Sequence, residues 1–430
     1  MKNILRIALL LELFGGAARA QDLAGDWQGA LKVGAKELRL IVHIEKGSSA
    51  WKATLASIDQ SPDRGAVIAA DSITVQGADV KIGVAAIRGS YAGKLSADGT
   101  SMSGTWTQGM PLPLDLKRAT PETAWKDPSP HAAQFVNVEN DVKLEVLDWG
   151  GTGRPVVLVP GLGNTAHIFD QFALKLLPRY HVYGITRRGF GASSAPATGY
   201  SADRLGDDVL AVLDTLKIEK PVLLGHSLGG EELSSVGSRH AGRVAGLVYL
   251  DAGYAYAFYD QSRGDLRIDL ADLEKKLAQL HAGKSPADPR PLVKELLEST
   301  LPGFERDLRE HQKDLELMSP ALLAAQAAAP LAGPTREIMR GMQKYTEIPV
   351  PILAIYAVPH DRGPMASPDA TARAAQEARD EETTGAQATA FEKGLPTAKV
   401  VRIPHADHYV FRSNEADVLR YMDEFIAELK

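Results

Sequence analysis

A serine lies in a six-residue segment that would place its hydroxyl on a tight, exposed turn. Residues 225–230 read Gly-His-Ser-Leu-Gly-Gly and directly follow the apolar run 221–224. A buried strand that breaks at Gly-x-Ser-x-Gly and continues as a helix holds the serine hydroxyl above the sheet. Glycine is needed two residues to either side because neighbouring backbone crowds the turn. The five-residue pattern alone is weak, but with this strand and helix around it, Ser227 is predicted to be a nucleophile.

Two later apolar runs are each followed by groups that could activate the serine. Residues 351–358 precede Asp361, and residues 399–403 precede His405 and His408. A serine hydroxyl needs a base within hydrogen-bond reach, and the base needs a third group to hold its tautomer. The order serine, acid, histidine past successive strands supplies these roles for acyl transfer.

The elements that must position these groups fall into two regions of different periodicity. Residues 25–117 alternate apolar and polar side chains in short runs separated by turn signals. This pattern predicts a small antiparallel β barrel or sandwich of about eight strands. The predicted all-β domain spans residues 21–118, and a linker with three prolines follows at residues 119–134.

The second region, residues 135–430, alternates short apolar runs with segments of helical spacing. Alternating strands and helices predict an α/β domain with a mostly parallel sheet covered on both faces. One long helical insertion, residues 253–345, interrupts the alternation between two strands. We expect it to lie as a helical cap over the carboxyl edge of the sheet.

Composition excludes several classes of function. The 430 residues, 44% of them hydrophobic, suffice for about two or three packed domains. A net charge of -6 without a basic block argues against a nucleic-acid partner. The absence of cysteine excludes disulfides, thiolate catalysis and Cys-based metal sites. No metal-binding or nucleotide-binding motif is present, so we expect no cofactor and no metal.

The N-terminus has the pattern of a signal peptide. Lys2 and Arg6 precede or flank a mostly apolar segment, and Ala-Arg-Ala at residues 18–20 fits a cleavage site. We expect cleavage after Ala20, so residues 1–20 would be removed and the protein would be secreted or periplasmic. No later stretch reaches the ~20 apolar residues of a membrane span.

Residues 135–430 resemble the α/β-hydrolase family, of the type that carries a helical cap. Residues 225–230 match the family's nucleophile elbow. Arg-Gly-Phe-Gly-Ala-Ser at residues 188–193 is similar to the family's loop after its fourth strand. The resemblance covers the second region only. The all-β domain is matched loosely to small β modules that precede exported hydrolases, and its ligand or partner is unknown.

The resemblance implies a role for each member of the triad. Ser227 would be the nucleophile, Asp361 the acid and His408 the base. His408 is preferred to His405 because the family's histidine follows a small-residue turn, as in Ala-Asp-His at residues 406–408. His405 is interpreted as a surface histidine.

Asp251 is the rival candidate for the acid. It follows the apolar run 247–250, and some cap-bearing relatives place their acid after that strand. Tyr254 and Tyr256 come next in the chain, where they would line a substrate pocket or form ordinary cap core.

The resemblance also implies an oxyanion hole made by the backbone N–H groups of Leu228 and Leu162. Leu228 follows the nucleophile at a helix N-terminus, where the helix dipole favours negative charge. The family commonly has His-Gly in the loop of Leu162, whereas this chain has Pro160-Gly161. This departure keeps the backbone donor but removes a side chain that braces the loop.

These observations predict an exported serine hydrolase that cleaves a small carboxylic ester through an acyl-enzyme. The same triad supports perhydrolase or haloperoxidase chemistry, C–C hydrolysis, thioester or amide cleavage, or a lyase reaction, and the fold does not choose among them. A serine at position 227 argues against epoxide hydrolases and dehalogenases, which need a carboxylate there. A different class of function is a binding protein that acts through its β-domain.

Overall fold

The computed structural model describes most of the chain, and the predicted signal peptide, residues 1–20, lies outside the described residues. The described ranges are 22–33, 36–47, 50–57, 68–125, 129–281, 286–317, 333–363 and 369–429.

The N-terminal region forms one curled antiparallel sheet, a half-barrel form of the predicted small β-domain. Its strand order is β4-β3-β2-β1-β9-β8-β7-β6-β5. Alternate side chains point inward, as the two-residue period predicts, and Trp27, Met102 and Leu116 are fully buried in its core. The described strands are β1 Gly25–Val33, β2 Lys36–Lys46, β3 Trp51–Ser57, β4 Ile68–Ala69, β5 Ser72–Gln76, β6 Asp79–Val84, β7 Gly89–Leu95, β8 Ser101–Gln108 and β9 Met110–Arg118.

The second sheet has the order β10-β11-β13-β12-β14-β15-β16-β17, and it is parallel from β13 through β17. Its first strand begins at Ala132, inside the segment predicted as linker, and pairs antiparallel with the next strand. The described strands are β10 Ala132–Glu139, β11 Val142–Gly150, β12 Arg154–Val159, β13 Tyr180–Ile185, β14 Val222–His226, β15 Gly246–Leu250, β16 Ile352–Ala357 and β17 Ala398–Ile403.

Helices cover both faces of this sheet. Consecutive side chains of β14 enter two different cores: Leu223 belongs to the same core as Leu233, and Leu224 belongs to the same core as Phe172. A strand buried on both faces explains the uninterrupted apolar runs in the sequence. The fold class predicted from the alternation is therefore confirmed. The helices of the α/β body are α1 Asp170–Leu176, α2 Ala202–Leu216, α3 Gly229–Arg239, α8 Ala370–Asp380, α9 Ala386–Gly394, α10 Val410–Ser413 and α11 Glu415–Glu428.

The insertion between β15 and β16 is helical in its described part. Asp265 caps its first helix by accepting hydrogen bonds from the N–H groups of Arg267 and Ile268. Ile268 and Ile338 then pack against Leu228, next to the predicted nucleophile. The insertion thus covers the carboxyl ends of the strands. Its described helices are α4 Leu266–Ala278, α5 Arg290–Glu295, α6 Leu301–Leu317 and α7 Gly333–Arg340.

In the part of the chain that the structure describes, none of the helices combines the length and the apolar character that crossing a bilayer requires.

Candidate active site

Ser227 lies on a sharp turn between β14 and α3, in a left-handed backbone conformation with φ of 49°. The turn requires its glycines. A Cβ on Gly225 would lie 2.7 Å from the carbonyl carbon of Gly229, and one on Gly229 would lie 2.5 Å from the Val159 oxygen. The Ser227 N–H donates to the Leu250 carbonyl at 3.2 Å, which ties the turn to the end of the next strand. Ser227 is therefore held above the carboxyl edge of the sheet.

The carboxylate that contacts His408 is Asp251. Its Oδ2 accepts hydrogen bonds from His408 Nδ1 at 2.5 Å, from His360 Nε2 at 2.8 Å and from the Tyr254 hydroxyl at 3.1 Å. Its Oδ1 accepts from the Ala357 N–H at 3.0 Å. Asp251 is fully buried at the end of β15, so these donors replace the water that its charge has lost.

Asp361 takes a different position from the one expected of the triad acid. It is exposed, and its Oδ1 accepts from the Gly363 N–H at 2.8 Å in a local turn. Its own N–H donates to the Ala406 carbonyl, so its contribution to the loop of His408 comes from the backbone. The physical reason is the turn after β16, which leaves His360 rather than Asp361 against the buried carboxylate. The geometry thus favours the rival acid, Asp251.

His360 is a residue of the site that the sequence did not single out. Its Nδ1 and its backbone N–H both lie within hydrogen-bond distance of Asp380 Oδ2, at 2.8 and 2.6 Å. Its Nε2 faces Asp251. The available signal was its position directly after a buried strand, one residue before the predicted acid. A histidine between two carboxylates can be recognised only when Asp380, at the end of α8, is placed in space.

Burial and hydrogen bonding shift the pKa values of Asp251 and His360 in opposite directions. Burial alone would raise the pKa of Asp251, but the hydrogen bonds from His360 and His408 outweigh it and hold that pKa well below its usual range. Burial would lower the pKa of His360, but hydrogen bonding and charge interaction with Asp251 and Asp380 raise it to about 9. Both shifts favour the charged forms of these two groups, the carboxylate of Asp251 and the imidazolium of His360.

The loop of Leu162 lies against the nucleophile. A Cβ on Gly161 would come within 3.0 Å of the Ser227 Cβ, so the loop backbone passes directly beside the serine. Arg187 braces this loop by donating from Nη2 to the Pro160 carbonyl at 2.8 Å and from Nη1 to Gly161 at 3.4 Å. This arginine supplies a brace that the sequence suggested was missing.

Arg187 is itself held by an ion pair with Glu232 on α3, and both side chains are buried. The nucleophile turn and the loop of Leu162 are thus joined by one buried arginine. Leu228 is the N-cap of α3, and Leu162 packs against the apolar cluster that contains Leu228, so the two residues expected to form the oxyanion hole lie close together.

Two tyrosines near the end of β15 line a cavity beside the insertion. Tyr254 donates to Asp251 Oδ2 at 3.1 Å, and Tyr256 packs against the cluster that contains Leu228, the residue after Ser227. Both line this cavity of about 390 Å³, whose wall also contains Arg263 and Arg267. The tyrosines predicted as pocket residues therefore lie beside the groups proposed for chemistry.

The remaining histidines of this region have packing roles or lie outside the cluster. His226 is fully buried, and its ring lies 4.7 Å from that of His408 and 4.6 Å from that of Tyr409. Its Nε2 faces the His408 carbonyl at 3.0 Å. His405 is exposed.

Two groups of side chains in the described residues have the spacing of metal ligands. In one, His131, His167 and Asp170 lie together; in the other, Asp251, His360 and His408 do. The second group is already joined by the hydrogen bonds given above. In the first, burial lowers the pKa of His167 but hydrogen bonds to Asp170 and Glu145 raise it to about 9. The positive charge favoured on His167 compensates the negative charges of Asp170 and Glu145. An ion-pair network therefore explains why these buried groups lie together.

Comparison with known proteins agrees with this architecture. A family model described as the alpha/beta hydrolase family matches residues 156–420. The AB hydrolase superfamily protein YisY of Bacillus subtilis is 34% identical over 160 residues, which cover 34% of this chain and 59% of YisY. A non-heme haloperoxidase of Rhodococcus erythropolis is 35% identical over 120 residues, 27% of this chain and 43% of that protein.

A third relative matches over a longer stretch. The 2-(acetamidomethylene)succinate hydrolase of Mesorhizobium japonicum is 23% identical over 279 residues, which cover 64% of this chain and 89% of that protein. The first two matches are shorter. They span 59% of the length of YisY and 43% of the length of the haloperoxidase. The family model covers more than half of the chain and includes Ser227, Asp251 and His408. This chain belongs to the alpha/beta hydrolase family.

Proposed function

We propose that this protein is a serine hydrolase that cleaves a small carboxylic ester, with Ser227 as nucleophile, His408 as base and Asp251 as acid. The contact between Asp251 Oδ2 and His408 Nδ1, at 2.5 Å, carries the proposal. It supports the proposal because Asp251 contacts His408 through Nδ1, which leaves Nε2 available to act on Ser227.

The proposed reaction uses the ring nitrogen of His408 that Asp251 does not contact. With Nδ1 donating to Asp251, Nε2 accepts the Ser227 proton as the serine oxygen attacks the ester carbonyl. The resulting oxyanion accepts hydrogen bonds from the N–H groups of Leu228 and Leu162. His408 then gives its proton to the leaving alcohol, and water releases the acid from the acyl-enzyme by the same steps.

A second candidate is the haloperoxidase activity named for one of the relatives. It is favoured by the 35% identity to the Rhodococcus protein over 120 residues. The two activities separate by assay, because ester cleavage needs only water as second substrate. Bromination of a phenol dye in the presence of bromide, peroxide and a carboxylic acid would support the second candidate.

The test of the proposal is Ser227→Ala. We expect loss of p-nitrophenyl ester hydrolysis and of fluorophosphonate labelling, because both need the serine oxygen, with the circular dichroism spectrum unchanged. Ser103→Ala is the matched control, since Ser103 is exposed on β8 of the other sheet. Ester hydrolysis at the wild-type rate in Ser227→Ala would overturn the proposal. A panel of esters of increasing acyl length then defines the substrate size.

We further propose that the protein is exported. The proposal rests on the pattern of residues 1–20, and it expects a mature chain that begins at Gln21. N-terminal sequencing of the protein recovered from the periplasm or medium checks it; recovery only from the cytoplasm with Met1 retained would contradict it.

A further inference from the structure

Four side chains form a continuous chain of hydrogen bonds through the site. Asp380 Oδ2 contacts His360 Nδ1 at 2.8 Å, His360 Nε2 contacts Asp251 Oδ2 at 2.8 Å, and the same oxygen contacts His408 Nδ1 at 2.5 Å. We propose that His360, fixed by Asp380, is a positioning residue that holds Asp251 beside His408. Its positive charge also reduces the electrostatic stabilisation that Asp251 gives to protonated His408. The inference rests on the proposed function of Ser227, His408 and Asp251.

The geometry requires His360 to act as a cation. Each of its ring nitrogens faces a carboxylate oxygen at 2.8 Å, and an ionised carboxylate can only accept a hydrogen bond, so the nitrogen that faces it donates an N–H. Both nitrogens therefore carry hydrogen. The two carboxylates are buried, with 0% and 8% of their side-chain surfaces exposed for Asp251 and Asp380. A positive charge between them offsets the cost of burying both.

His360 also determines where Asp251 points. Asp251 is the first residue after β15 and lies in a left-handed conformation with φ of 46°. Its Oδ1 is fixed by the Ala357 N–H of the neighbouring strand. His360 and Tyr254 then donate to Oδ2, the same oxygen that His408 contacts. Without His360, Oδ2 has lost one of the donors that aim it at the base.

Other polar groups of the described residues also lie against this chain, among them the Thr384 hydroxyl, which donates to Asp380 Oδ1 at 3.1 Å. Tyr254 lies 3.4 Å from His360 Nε2, and Arg362 lies 3.9 Å from Asp380 Oδ1. On the other side of the chain, the ring of His408 lies 4.7 Å from the ring of His226 and 5.6 Å from that of Tyr409, measured between ring centres. The small cavity on the outer side of His360 is bordered by Asp361, Arg362, Arg373, Gln376, Glu377 and His405.

The charge of His360 has a predictable effect on His408. The two rings are 6.2 Å apart, and like charges at this distance oppose each other. The imidazolium of His360 therefore disfavours protonation of His408 and keeps the base available at lower pH. Removing it leaves the negative charge of Asp251 less compensated, so the attraction between Asp251 and protonated His408 becomes stronger. The acid limb of the activity profile then moves to higher pH.

The test is the pH dependence of fluorophosphonate labelling in His360→Gln. We expect the acid limb to move upward by on the order of one pH unit. We also expect the maximal rate to fall by roughly tenfold, because Asp251 loses a charged hydrogen bond that orients it. The rate of p-nitrophenyl acetate hydrolysis should show the same two changes, chiefly in kcat. His240→Gln is the matched control, since His240 is exposed at the end of α3.

The double variant His360→Gln/Asp380→Asn keeps the test decisive if the single variant fails to fold. It removes the Asp380 charge together with its partner, so no unpaired carboxylate remains buried at that position. We expect a smaller upward shift of the same sign, because an anion leaves along with the cation. A folded, labelled variant whose acid limb coincides with that of the wild type would overturn the inference and leave His360 a structural role. Absence of labelling in the wild type would instead overturn the proposed function.

Discussion

At the residue scale, the site depends on which carboxylate faces His408. Both Asp251 and Asp361 follow buried strands, and the carboxyl ends of neighbouring parallel strands meet at one edge. Sequence spacing therefore could not distinguish them. The difference arises from turn geometry: Asp251 folds back in a left-handed conformation, whereas Asp361 is turned into a local hydrogen bond with Gly363.

Paired substitutions separate the two acids. Asp251→Asn should reduce kcat by about 10³-fold or more, because an amide cannot stabilise the protonated histidine and can hold it in the wrong tautomer. Asp361→Asn removes an exposed charge and should change kcat by less than about twofold. Steady-state hydrolysis of one ester by both variants provides the measurement. A large loss in Asp361→Asn with little loss in Asp251→Asn would restore the assignment implied by resemblance.

At the element scale, the strand-to-helix turn and the loop of Leu162 must be held at a fixed distance. The nucleophile turn was predictable because its glycines and its flanking strand and helix are contiguous in the sequence. Its brace was not, since Arg187 follows β13 whereas Glu232 lies on α3. A contact between distant segments leaves no local pattern. The same reason explains why the pair of His360 with Asp380 was missed.

Arg187→Leu tests the brace. It leaves Glu232 buried without its cation and frees the carbonyls of Pro160 and Gly161, so unfolding should become easier by about 3 kcal/mol or more. We also expect a lower kcat, because the loop that carries Leu162 loses its anchor. Urea denaturation and ester kinetics measure the two effects. Arg420→Leu is the control, since its ion pair with Asp417 is half-exposed and solvent screening should leave stability almost unchanged when it is removed. Equal stability losses in both variants would contradict the brace.

At the scale of the whole molecule, the chain contains two sheets with separate apolar cores. The change of period near residue 119 was enough to predict this division, because strands of a half-buried sheet alternate and those of a covered parallel sheet do not. Residues of the segment between the two sheets form hydrogen bonds with side chains of each sheet. Gln28 of β1 donates to the Thr123 carbonyl at 2.6 Å, whereas Trp149 of β11 donates to Ser129 at 2.5 Å.

These contacts place the natural point of division between Thr123 and Ser129. A fragment of residues 129–430 keeps Ser129 for Trp149 and keeps the residues proposed for catalysis, so we expect it to fold and to be labelled by a fluorophosphonate at a rate within about threefold of the full chain. The companion fragment, residues 22–125, keeps the contact of Gln28 with Thr123 and should show β-type circular dichroism without labelling. Both fragments are measured beside the full chain and its Ser227→Ala variant. If the larger fragment is folded but unlabelled, the β-domain takes part in building the site, and the two cores are not functionally independent.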